Sequence, residues 1–332
     1  MLRKPNILVV GSFMMDLIAS APRVPDLGET VIGTSFRTAP GGKGANQAVQ
    51  CARLCANVTM AGCVGGDSFG KKLLQTASSS GVDISHVKIS PENSSGVGNI
   101  QLQVSESGTQ NRILVVPGAN YDLTPEDLNW LKDEIGSYDL VMLQLELSME
   151  VTKFTAACAR EAGVPVMLNP APAAPLDNDL LSCITYLSPN EHEAALLSGL
   201  TLHTDESGAD KEDLSRMIHQ LRSKGVGNVI VTLGSNGAVC ANDSGIQYTP
   251  CVNLLNVKDP TAAGDSFVAA FCTGVTAGLS VKEALDFASY TAAITVSRMG
   301  AMPSLPTLNE VRELMAKGGY AGFDTALLNS LR

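Results

Sequence analysis

The chain has 332 residues, of which 45% are hydrophobic and 17% charged, a composition typical of a globular protein with a large core and not of a disordered chain. Its net charge of -10 argues against a basic face for nucleic acid, although an acidic protein can still bind phosphates through backbone dipoles. No apolar run reaches the roughly 18 residues that a membrane-spanning helix needs, so neither nucleic acid nor a membrane is a predicted partner.

The N-terminus carries no recognisable secretion signal. The apolar run behind its first basic residues extends only from Ile7 to Val10, which is too short for the core of a signal peptide. The eight cysteines are scattered and include no C-x-x-C pair, which favours free, mostly buried thiols in a reducing compartment. These features predict an intracellular, cytoplasmic protein and leave a location inside an organelle open.

Short β-branched runs alternate with segments of helical periodicity along the chain. Buried parallel strands are predicted at residues 6–10, 58–64, 140–145, 164–168 and 229–233. Helices are predicted at residues 43–55, 68–79, 125–135, 149–162, 211–224 and 263–277. The alternation predicts an α/β fold with a doubly wound, mostly parallel central sheet flanked by helices.

Two stretches interrupt this alternation. Residues 29–37 and 96–116 have the pattern of strand pairs, the second with a turn at 105–108, and no helix separates their strands. They predict a small separate β-sheet, contributed by about residues 15–43 and 96–118, that covers the carboxyl ends of the parallel strands as a lid, because ligands bind at that edge of an open sheet. No linker or low-complexity tract divides the sequence, so residues 1–332 are predicted to form a single domain.

The segment at 258–267 reads KDPTAAGDSF and places three small residues directly before an acid at the start of a predicted helix. Ala262, Ala263 and Gly264 leave successive backbone N–H groups unobstructed, and the helix directs its partial positive end at whatever lies in front. Such N–H donors can hold the negative charge of a phosphoryl group in transfer. Asp265 would then accept a proton from an attacking alcohol, with positioning and electrostatics supplying most of the catalysis because aspartate is a weak base.

Other interpretations of the small-residue segments stay open at this point. Asp265 could merely cap its helix, with Gly264 easing packing. Residues 66–70 read GDSFG and match the nucleophile elbow of a hydrolase, although the chain has only four histidines. Gly42 and Lys43 lack the flanking residues of a P-loop, and no G-x-G-x-x-G follows the first predicted strand.

Polar and small residues near the first predicted strand indicate a site for a small alcohol. Asp16 follows the carboxyl end of that strand, where its carboxylate could accept two hydroxyl groups of a diol. Asn46 lies in residues 40–47 (PGGKGANQ), whose glycines let backbone approach a small polar molecule. Taken singly, Asp16 could equally be an ordinary loop residue and Asn46 a residue on a helix surface.

Five motifs occur together in the order and spacing of one enzyme family. They are GGKGANQAVQ at 41–50, QLE at 144–146, NPAPA at 169–173, NEHE at 190–193 and DPTAAGDSF at 259–267. Over about residues 7–306 the sequence resembles the PfkB family of carbohydrate kinases, and GGKGANQA is selective for the ribokinases within it. The resemblance implies ATP-dependent phosphorylation of the 5-hydroxyl of D-ribose, which gives D-ribose 5-phosphate and ADP.

The resemblance also implies roles for individual residues. Asp265 is implied as the base, with Ala263 and Gly264 completing an anion hole around the transferred phosphoryl group. The implied ribose contacts are Asp16, Gly42, Lys43, Asn46, Glu146 and Asp265, with the adjoining Met14, Met15, Gly44 and Ala45. The implied ATP contacts are Asn190, Thr232, Leu233, Gly234, Ser235, Asn236, Gly237, Gly264, Asp265 and, near the adenine, Ser289.

Two cofactors and a partner follow from the same resemblance. Mg²⁺ would accompany ATP, with Glu193 in contact through water. A K⁺ ion beside the anion hole would be bound by oxygens of Asp259, Thr261, Thr295, Arg298, Gly300 and Ser304. The small sheet resembles the lid of the family, which often pairs two protomers, so a homodimer is implied.

Three positions depart from the family pattern. Pro260 stands where the family usually has Thr, Ala262 where Gly is commoner, and Met14 where ribokinases often have a polar residue. The first two bear on activation by potassium and the third on the affinity for ribose. The alternatives are a related kinase for fructose, ketodeoxygluconate or a nucleoside, a non-catalytic sugar sensor, and, with least support, a Rossmann oxidoreductase.

Overall fold

The computed structural model of the chain describes residues 2–105, 108–205 and 208–331. The strands are β1 (Asn6–Val10), β2 (Met14–Ala21), β3 (Ser35–Gly41), β4 (Asn57–Gly65), β5 (Val82–Ser90), β6 (Gly96–Ser105), β7 (Gly108–Val116), β8 (Leu140–Leu143), β9 (Val166–Leu168), β10 (Tyr186–Leu187), β11 (Thr204–Asp205), β12 (Gly208–Ala209), β13 (Asn228–Thr232), β14 (Ala238–Asn242) and β15 (Gly245–Thr249). The α-helices are α1 (Lys43–Arg53), α2 (Ser68–Ser79), α3 (Leu131–Glu134), α4 (Met149–Glu161), α5 (Asn178–Leu181), α6 (Glu191–Ser198), α7 (Lys211–Ser223), α8 (Ala263–Ala277), α9 (Val281–Val296) and α10 (Leu308–Lys317).

The central sheet has nine strands, and its inner strands β1, β8 and β9 are buried on both faces. Along β1, Ile7 and Val9 belong to one hydrophobic core, whereas Leu8 and Val10 belong to the other. Helices α1, α2, α8, α9 and α10 complete the first core, and α3 to α7 complete the second. A strand covered on both sides must be apolar at nearly every position, which explains the continuous hydrophobic runs in the sequence. The predicted doubly wound α/β fold is confirmed.

The strand order opens a crevice beside β1. The order is β15-β14-β13-β10-β9-β8-β1-β4-β5, and β1 pairs in parallel with both β4 and β8. Helix α1 precedes β4 and packs in the first core, whereas α4 follows β8 and packs in the second. The connections from β1 and β8 therefore diverge, and ligands of doubly wound sheets bind at such a switch point.

The predicted elements largely agree with the observed ones. The strand predicted at 6–10 and the helices predicted at 68–79 and 263–277 have the bounds of β1, α2 and α8. The single helix predicted at 125–135 is wrong, because the chain there forms two 3₁₀ turns on either side of the short α3. Asp127 accepts hydrogen bonds from Thr124 and from Lys88 of β5, which anchors this segment to the sheet and interrupts a regular helix.

A second, four-stranded sheet has the order β3-β2-β6-β7. Strand β2 pairs antiparallel with β3 and parallel with β6, and β6 forms a hairpin with β7. The strand pair predicted at 29–37 is wrong, because residues 29–34 form no strand and the pair is β2 with β3. Residues 106 and 107 of the predicted turn lie outside the described residues. The separate small sheet itself is confirmed.

Within the described part of the chain, no helix is both long and apolar enough to cross a membrane. All eight cysteines lie in that part and are unpaired, and most of them are buried.

Candidate active site

Helix α8 begins at the crevice with backbone donors that face open space. Ala262 is its N-cap, has a left-handed φ of 60° and offers no side-chain cap. The N–H groups of Gly264 and Asp265 come before the first i to i−4 bond of the helix, which Ser266 donates to Ala262. A Cβ on Gly264 would meet nothing within 4 Å. The start of α8 is therefore free to bind an anion.

The carboxylate of Asp265 is buried and held by two side-chain amides from α1. Nδ2 of Asn46 donates to Oδ2 of Asp265 at 2.8 Å, and Nε2 of Gln47 donates to Oδ1 at 3.2 Å. Only 6% of Asp265 is exposed. The interpretation of Asp265 as a mere helix cap is wrong, because its oxygens accept from α1 and not from the N–H groups of α8.

Two glycines press the start of α1 onto the chain that leaves β1. Gly42 has a φ of 94°, and a Cβ there would lie 2.7 Å from the backbone nitrogen of Met14. A Cβ on Gly44 would lie 2.5 Å from the backbone nitrogen of Ser12. This close approach buries Asn46 to 5% exposure, and its Oδ1 has no hydrogen-bond partner within the described part of the chain. Asn46 is thus a buried residue of the crevice and not a residue of the helix surface.

Glu146 joins the end of β8 to the start of α1. Its Oε2 accepts hydrogen bonds from Oγ of Ser12 at 2.5 Å and from the N–H of Lys43 at 2.9 Å. Burial raises the pKa of Glu146, against the opposing effect of Lys43 and these bonds. Burial lowers the pKa of Lys43, but the charges of Asp265, Glu146 and Glu193 outweigh that effect and leave it raised. Lys43 is therefore a cation among three carboxylates.

Asp16 lies in β2, within the small sheet, and is not a loop residue. A Cβ on Gly41 of β3 or Gly98 of β6 would lie 2.8 or 2.7 Å from an oxygen of Asp16, so both glycines make room for the carboxylate. Burial and then the charges of Glu146 and Asp265 raise the pKa of Asp16 to about 7. No described residue donates a hydrogen bond to Asp16, which leaves its oxygens available to a ligand.

A cavity of about 230 Å³ connects the start of α8 with the carboxyl ends of the neighbouring strands. Its lining comprises Lys43, Asn169, Ala171, Ser188, Asn190, Glu193, Thr232, Pro260, Ala262, Ala263, Gly264, Asp265 and Val268. Asn190 caps α6, where its Oδ1 accepts from the N–H of Glu193 at 2.8 Å and Oε2 of Glu193 accepts from the N–H of Asn190 at 2.9 Å. Thr232 forms a parallel bridge with Asn190. Burial raises the pKa of Glu193.

The remainder of the predicted ATP segment extends away from this cavity. A 3₁₀ turn covers Gly234–Asn236, and Gly237 follows with a φ of 87°. A Cβ on Gly237 would lie 2.1 Å from the carbonyl oxygen of Thr249, so this turn packs directly on the end of β15. Ser289 of α9 is buried with its Oγ 3.5 Å from Oγ1 of the same Thr249. The structure thus groups Gly237 and Ser289 around Thr249.

The predicted potassium ligands lie in two segments of the chain, residues 259–261 and 295–304, that Asp259 connects. Its Oδ1 accepts from the N–H and hydroxyl of Thr261 at 3.0 and 2.6 Å, and its Oδ2 accepts from the N–H of Gly300 at 2.8 Å. Burial would raise the pKa of Asp259, but these bonds outweigh it and the pKa is lowered. The other predicted ligands, at the end of α9 and beyond it, are Thr295, Arg298 and Ser304.

Four buried polar residues behind Asp265 were not predicted as site residues. They are Gln47, Gln144, Asn169 and Ser188. Three of them could have been predicted from their position in the sequence. Gln144, Asn169 and Ser188 each directly follow a strand that ends at the ligand edge of the sheet. In residues 66–70, which match the G-x-S-x-G pattern, Asp67 caps α2 by accepting from the N–H of Gly70.

Comparison with known proteins agrees with this geometry. The family model for pfkB family carbohydrate kinases matches residues 4–308. Ribokinase of Schizosaccharomyces pombe is 40% identical over 313 residues, which cover 92% of this chain and 96% of that protein. Ribokinase of Bacillus subtilis is 37% identical over 311 residues, which cover 94% of this chain and 99% of that protein. The structure of Arabidopsis thaliana ribokinase complexed with ribose and ATP matches with a TM-score of 0.84 and 31% identity over 94% of this chain and 99% of that chain.

The fold and the site together define a carbohydrate kinase. More particularly, the chain belongs to the PfkB family, as its motifs predicted.

Proposed function

We propose that this protein is a ribokinase, which transfers the γ-phosphoryl group of ATP to the 5-hydroxyl of D-ribose. The observation that carries the proposal is the placement of Asp265. Its buried carboxylate, bound by Asn46 and Gln47, lies at the unobstructed start of α8 and faces the same cavity as Lys43. The names of the relatives from S. pombe and B. subtilis support ribose as the sugar.

The proposed reaction follows from these positions. O5 of ribose forms a bond to the γ-phosphorus while the bond from that phosphorus to the β–γ bridging oxygen breaks, which releases ADP. Asp265 accepts the hydroxyl proton, late in the transfer because a carboxylate is a weak base. The N–H groups of Gly264 and Asp265 bind the oxygens of the phosphoryl group. Ala263 adjoins them, but its own N–H donates to the carbonyl oxygen of Pro260 at 3.2 Å. Lys43 adds a positive charge to the same cavity.

The ribose subsite is proposed between the small sheet and the start of α1. Asp16 offers two acceptor oxygens, and Oδ1 of Asn46, which no described residue hydrogen-bonds, offers a third. The wall between Asp16 and Asn46 is formed by Gly42 and Lys43, with the adjoining Met14, Met15, Gly44 and Ala45. Glu146 holds that wall through Ser12 and the N–H of Lys43.

The ATP subsite is proposed along the edge that continues from the cavity. Asn190 and Thr232 adjoin the phosphates, because both line the cavity that contains Gly264. The turn at residues 233–237 and Ser289 bind the nucleoside end, since they meet around Thr249. This arrangement sets the two ends of ATP on opposite sides of Thr232.

Mg²⁺ and K⁺ fit the donors that are present. When bound with ATP, Mg²⁺ neutralises phosphate charge, and Glu193 can hold a coordinated water because one carboxylate oxygen is left over from the capping box. Within the described residues no three His, Cys, Asp or Glu side chains group as a metal centre. The binding of K⁺ would therefore depend on backbone and hydroxyl oxygens of residues 259–261 and 295–304, the two segments that Asp259 joins.

A homodimer through the small sheet is also part of the proposal. Strand β7 is an edge strand, and its Ile113, Leu114 and Val115 are largely exposed. Exposed apolar edge strands pair readily with a second copy. Light scattering would give the mass of a dimer, and Leu114→Lys should shift it to that of a monomer; a monomeric wild type would contradict the dimer.

The two sheets are proposed to act as one domain with a lid, in the cytoplasm. Met15 of β2 belongs to the same hydrophobic core as α1 and α8, so the small sheet shares its base with the central one. A lid in this position would exclude water from the phosphoryl group in transfer.

A coupled assay for ADP tests the activity. Purified protein with Mg·ATP should release ADP with D-ribose, more rapidly in potassium than in sodium, and much less with fructose, ketodeoxygluconate or a nucleoside. If one of those compounds is preferred to D-ribose, the protein is a different kinase of the same family and the proposed substrate is wrong. Calorimetric binding of ribose without release of ADP would instead identify a sugar sensor.

A further inference from the structure

A directed chain of buried amides leads from the end of β8 to Asp265. Nε2 of Gln144 donates to Oε1 of Gln47 at 2.6 Å. Nε2 of Gln47 donates onward to Oδ1 of Asp265 and to Oδ1 of Asn169, both at 3.2 Å. Nδ2 of Asn169 donates to the carbonyl oxygen of Ser188 at 2.9 Å. Gln47 is fully buried, and Gln144 is 2% exposed.

The acceptors fix the orientation of every amide in this chain. The carbonyl of Ser188 can only accept, so the NH₂ group of Asn169 faces it and its oxygen faces Gln47. The carboxylate of Asp265, in its ionised form, also only accepts. Gln47 therefore presents its NH₂ group to both, and its oxygen must be satisfied from the other side. Gln144 supplies that donor.

Gln144 holds this position at a cost to stability. Its own Oε1 is buried without a hydrogen-bond partner among the described residues. An unsatisfied buried acceptor destabilises the fold, which an apolar side chain would avoid. The amide also requires a glycine beside it, because a Cβ on Gly11 would lie 2.3 Å from that oxygen. A costly buried group of this kind is typical of a functional site.

We propose that Gln47 is a positioning residue for Asp265, and that Gln144 acts through Gln47. Asn46 holds Oδ2 of the carboxylate and Gln47 holds Oδ1, so the plane of the carboxylate cannot rotate. The remaining lone pairs then point at the bound hydroxyl. Loss of the Gln47 donor leaves Asp265 free to turn about its side-chain bond, and a misplacement of about 1 Å can lower turnover roughly 100-fold. The inference rests on the proposed role of Asp265 as the base.

The same helix provides a matched control. Gln50 is one turn further along α1 and is fully buried like Gln47; unlike that of Gln47, its Oε1 has no hydrogen-bond partner among the described residues. Its Nε2 donates to the carbonyl oxygen of Pro306 at 2.9 Å and does not contact Asp265. Gln47→Leu and Gln50→Leu thus remove the same type of buried amide from one helix, and only the first removes a donor to the carboxylate.

The experiment compares kcat, KM and thermal unfolding for these variants. Gln47→Leu should lower kcat about 10- to 100-fold with less than a threefold change in the KM for ATP, whereas Gln50→Leu should keep wild-type kcat. Gln144→Leu should lower kcat less than Gln47→Leu does. The double variant should be no slower than Gln47→Leu alone, because both act through one donor.

The outcomes separate this inference from the proposed function. If wild type releases ADP with ribose and folded Gln47→Leu keeps its kcat, the positioning role is refuted. If Gln50→Leu loses as much kcat as Gln47→Leu, the effect comes from packing of α1 and the role is equally refuted. If the losses of kcat in the two single variants multiply in the double variant, the link through Gln144 is refuted. If Gln47→Leu fails to fold, Gln47→Glu replaces it and this test remains. Absence of turnover in wild type would contradict the proposed function itself.

Discussion

Asn46 and Asp265 are 219 positions apart in the sequence, yet Nδ2 of one lies 2.8 Å from Oδ2 of the other. This bond joins the start of α1 to the start of α8. It brings the residues proposed to bind the sugar into contact with the residue proposed to activate it. The crevice between β1 and β8 is where the two helix starts meet.

Replacement of Asp265 by asparagine tests the proposed base. Asp265→Asn should lower kcat about 10²- to 10⁴-fold with little change in either KM, because the proton acceptor is lost while the shape is kept. Steady-state kinetics with ribose and ATP measure it. Asp213→Asn is a matched control, since Asp213 is also the buried third residue of a helix. That variant should keep kcat, and a near-normal kcat for Asp265→Asn would reject the assignment.

Ionised Asp16 is expected to destabilise the folded protein. Its folded pKa of about 7 lies above the ordinary aspartate value of 3.8, so its favourable contribution is complete below pH 4 and is lost as the pH rises through 7. Asp16→Asn should therefore raise the free energy of unfolding at pH 8, on the order of 1–3 kcal/mol, with no gain at pH 4. Urea titrations at both pH values would show it, and an equal effect at both would contradict it.

The binding of ribose should follow the same titration. Protonated Asp16 accepts fewer hydrogen bonds, so the KM for ribose should rise as the pH falls from 8 to 6. In Asp16→Asn the KM for ribose should be high, and its rise over that pH range should be smaller. A wild-type KM for ribose that stays constant between pH 6 and 8 would argue against contact between Asp16 and the sugar.

Gly264 is expected to serve function at the expense of stability. A Cβ there meets no atom within 4 Å and would project into the cavity that is proposed to hold the phosphoryl group. Gly264→Ala should raise the free energy of unfolding by about 0.5–1 kcal/mol, because alanine has less backbone entropy to lose. It should also lower kcat about tenfold or more. Gly136→Ala, at another glycine with open space around its Cβ, should leave kcat unchanged.

Ala262 adopts a conformation that favours glycine. Its φ of 60° strains an L-residue by roughly 1–2 kcal/mol, which the extra backbone entropy of glycine partly offsets. Ala262→Gly should raise the free energy of unfolding by up to about 1 kcal/mol. Cys55 also has a left-handed φ, of 71°, but lies outside the site, so it provides a comparison for the strain at Ala262. A clear loss of stability in Ala262→Gly, measured by thermal unfolding, would show that the φ angle is not the source of strain.

Local pattern was sufficient for much of the fold. Strand β1 and helices α2 and α8 were predicted with their observed bounds, because each is a regular hydrophobic run with a clear start. The segment at residues 29–37 misled because its pattern suggested a pair of strands, yet residues 29–34 form no strand and Ile32 is 89% exposed. Alternation reports burial only when one face of a strand is covered, and most of this segment is exposed.

The candidate site was likewise predicted only in part. Lys43 and Asp265 were identified from their motifs, since small residues beside a charge at a helix start are visible locally. Asp16 was identified from its place after the carboxyl end of the first predicted strand. Gln47 and Gln144 were missed as site residues, although both stand inside quoted motifs. Nothing in either motif indicates that their side chains meet at 2.6 Å.

The sequence by itself determined the alternation of strands and helices, the family, and the exposed N–H groups at the start of α8, because these depend on residues that are neighbours along the chain. Tertiary structure decided which acids share a crevice. The raised pKa of Asp16 and the two amides on Asp265 arise only when β2, α1 and α8 converge beside β1. Burial and charge–charge interaction depend on distance in space, and sequence separation does not encode that distance.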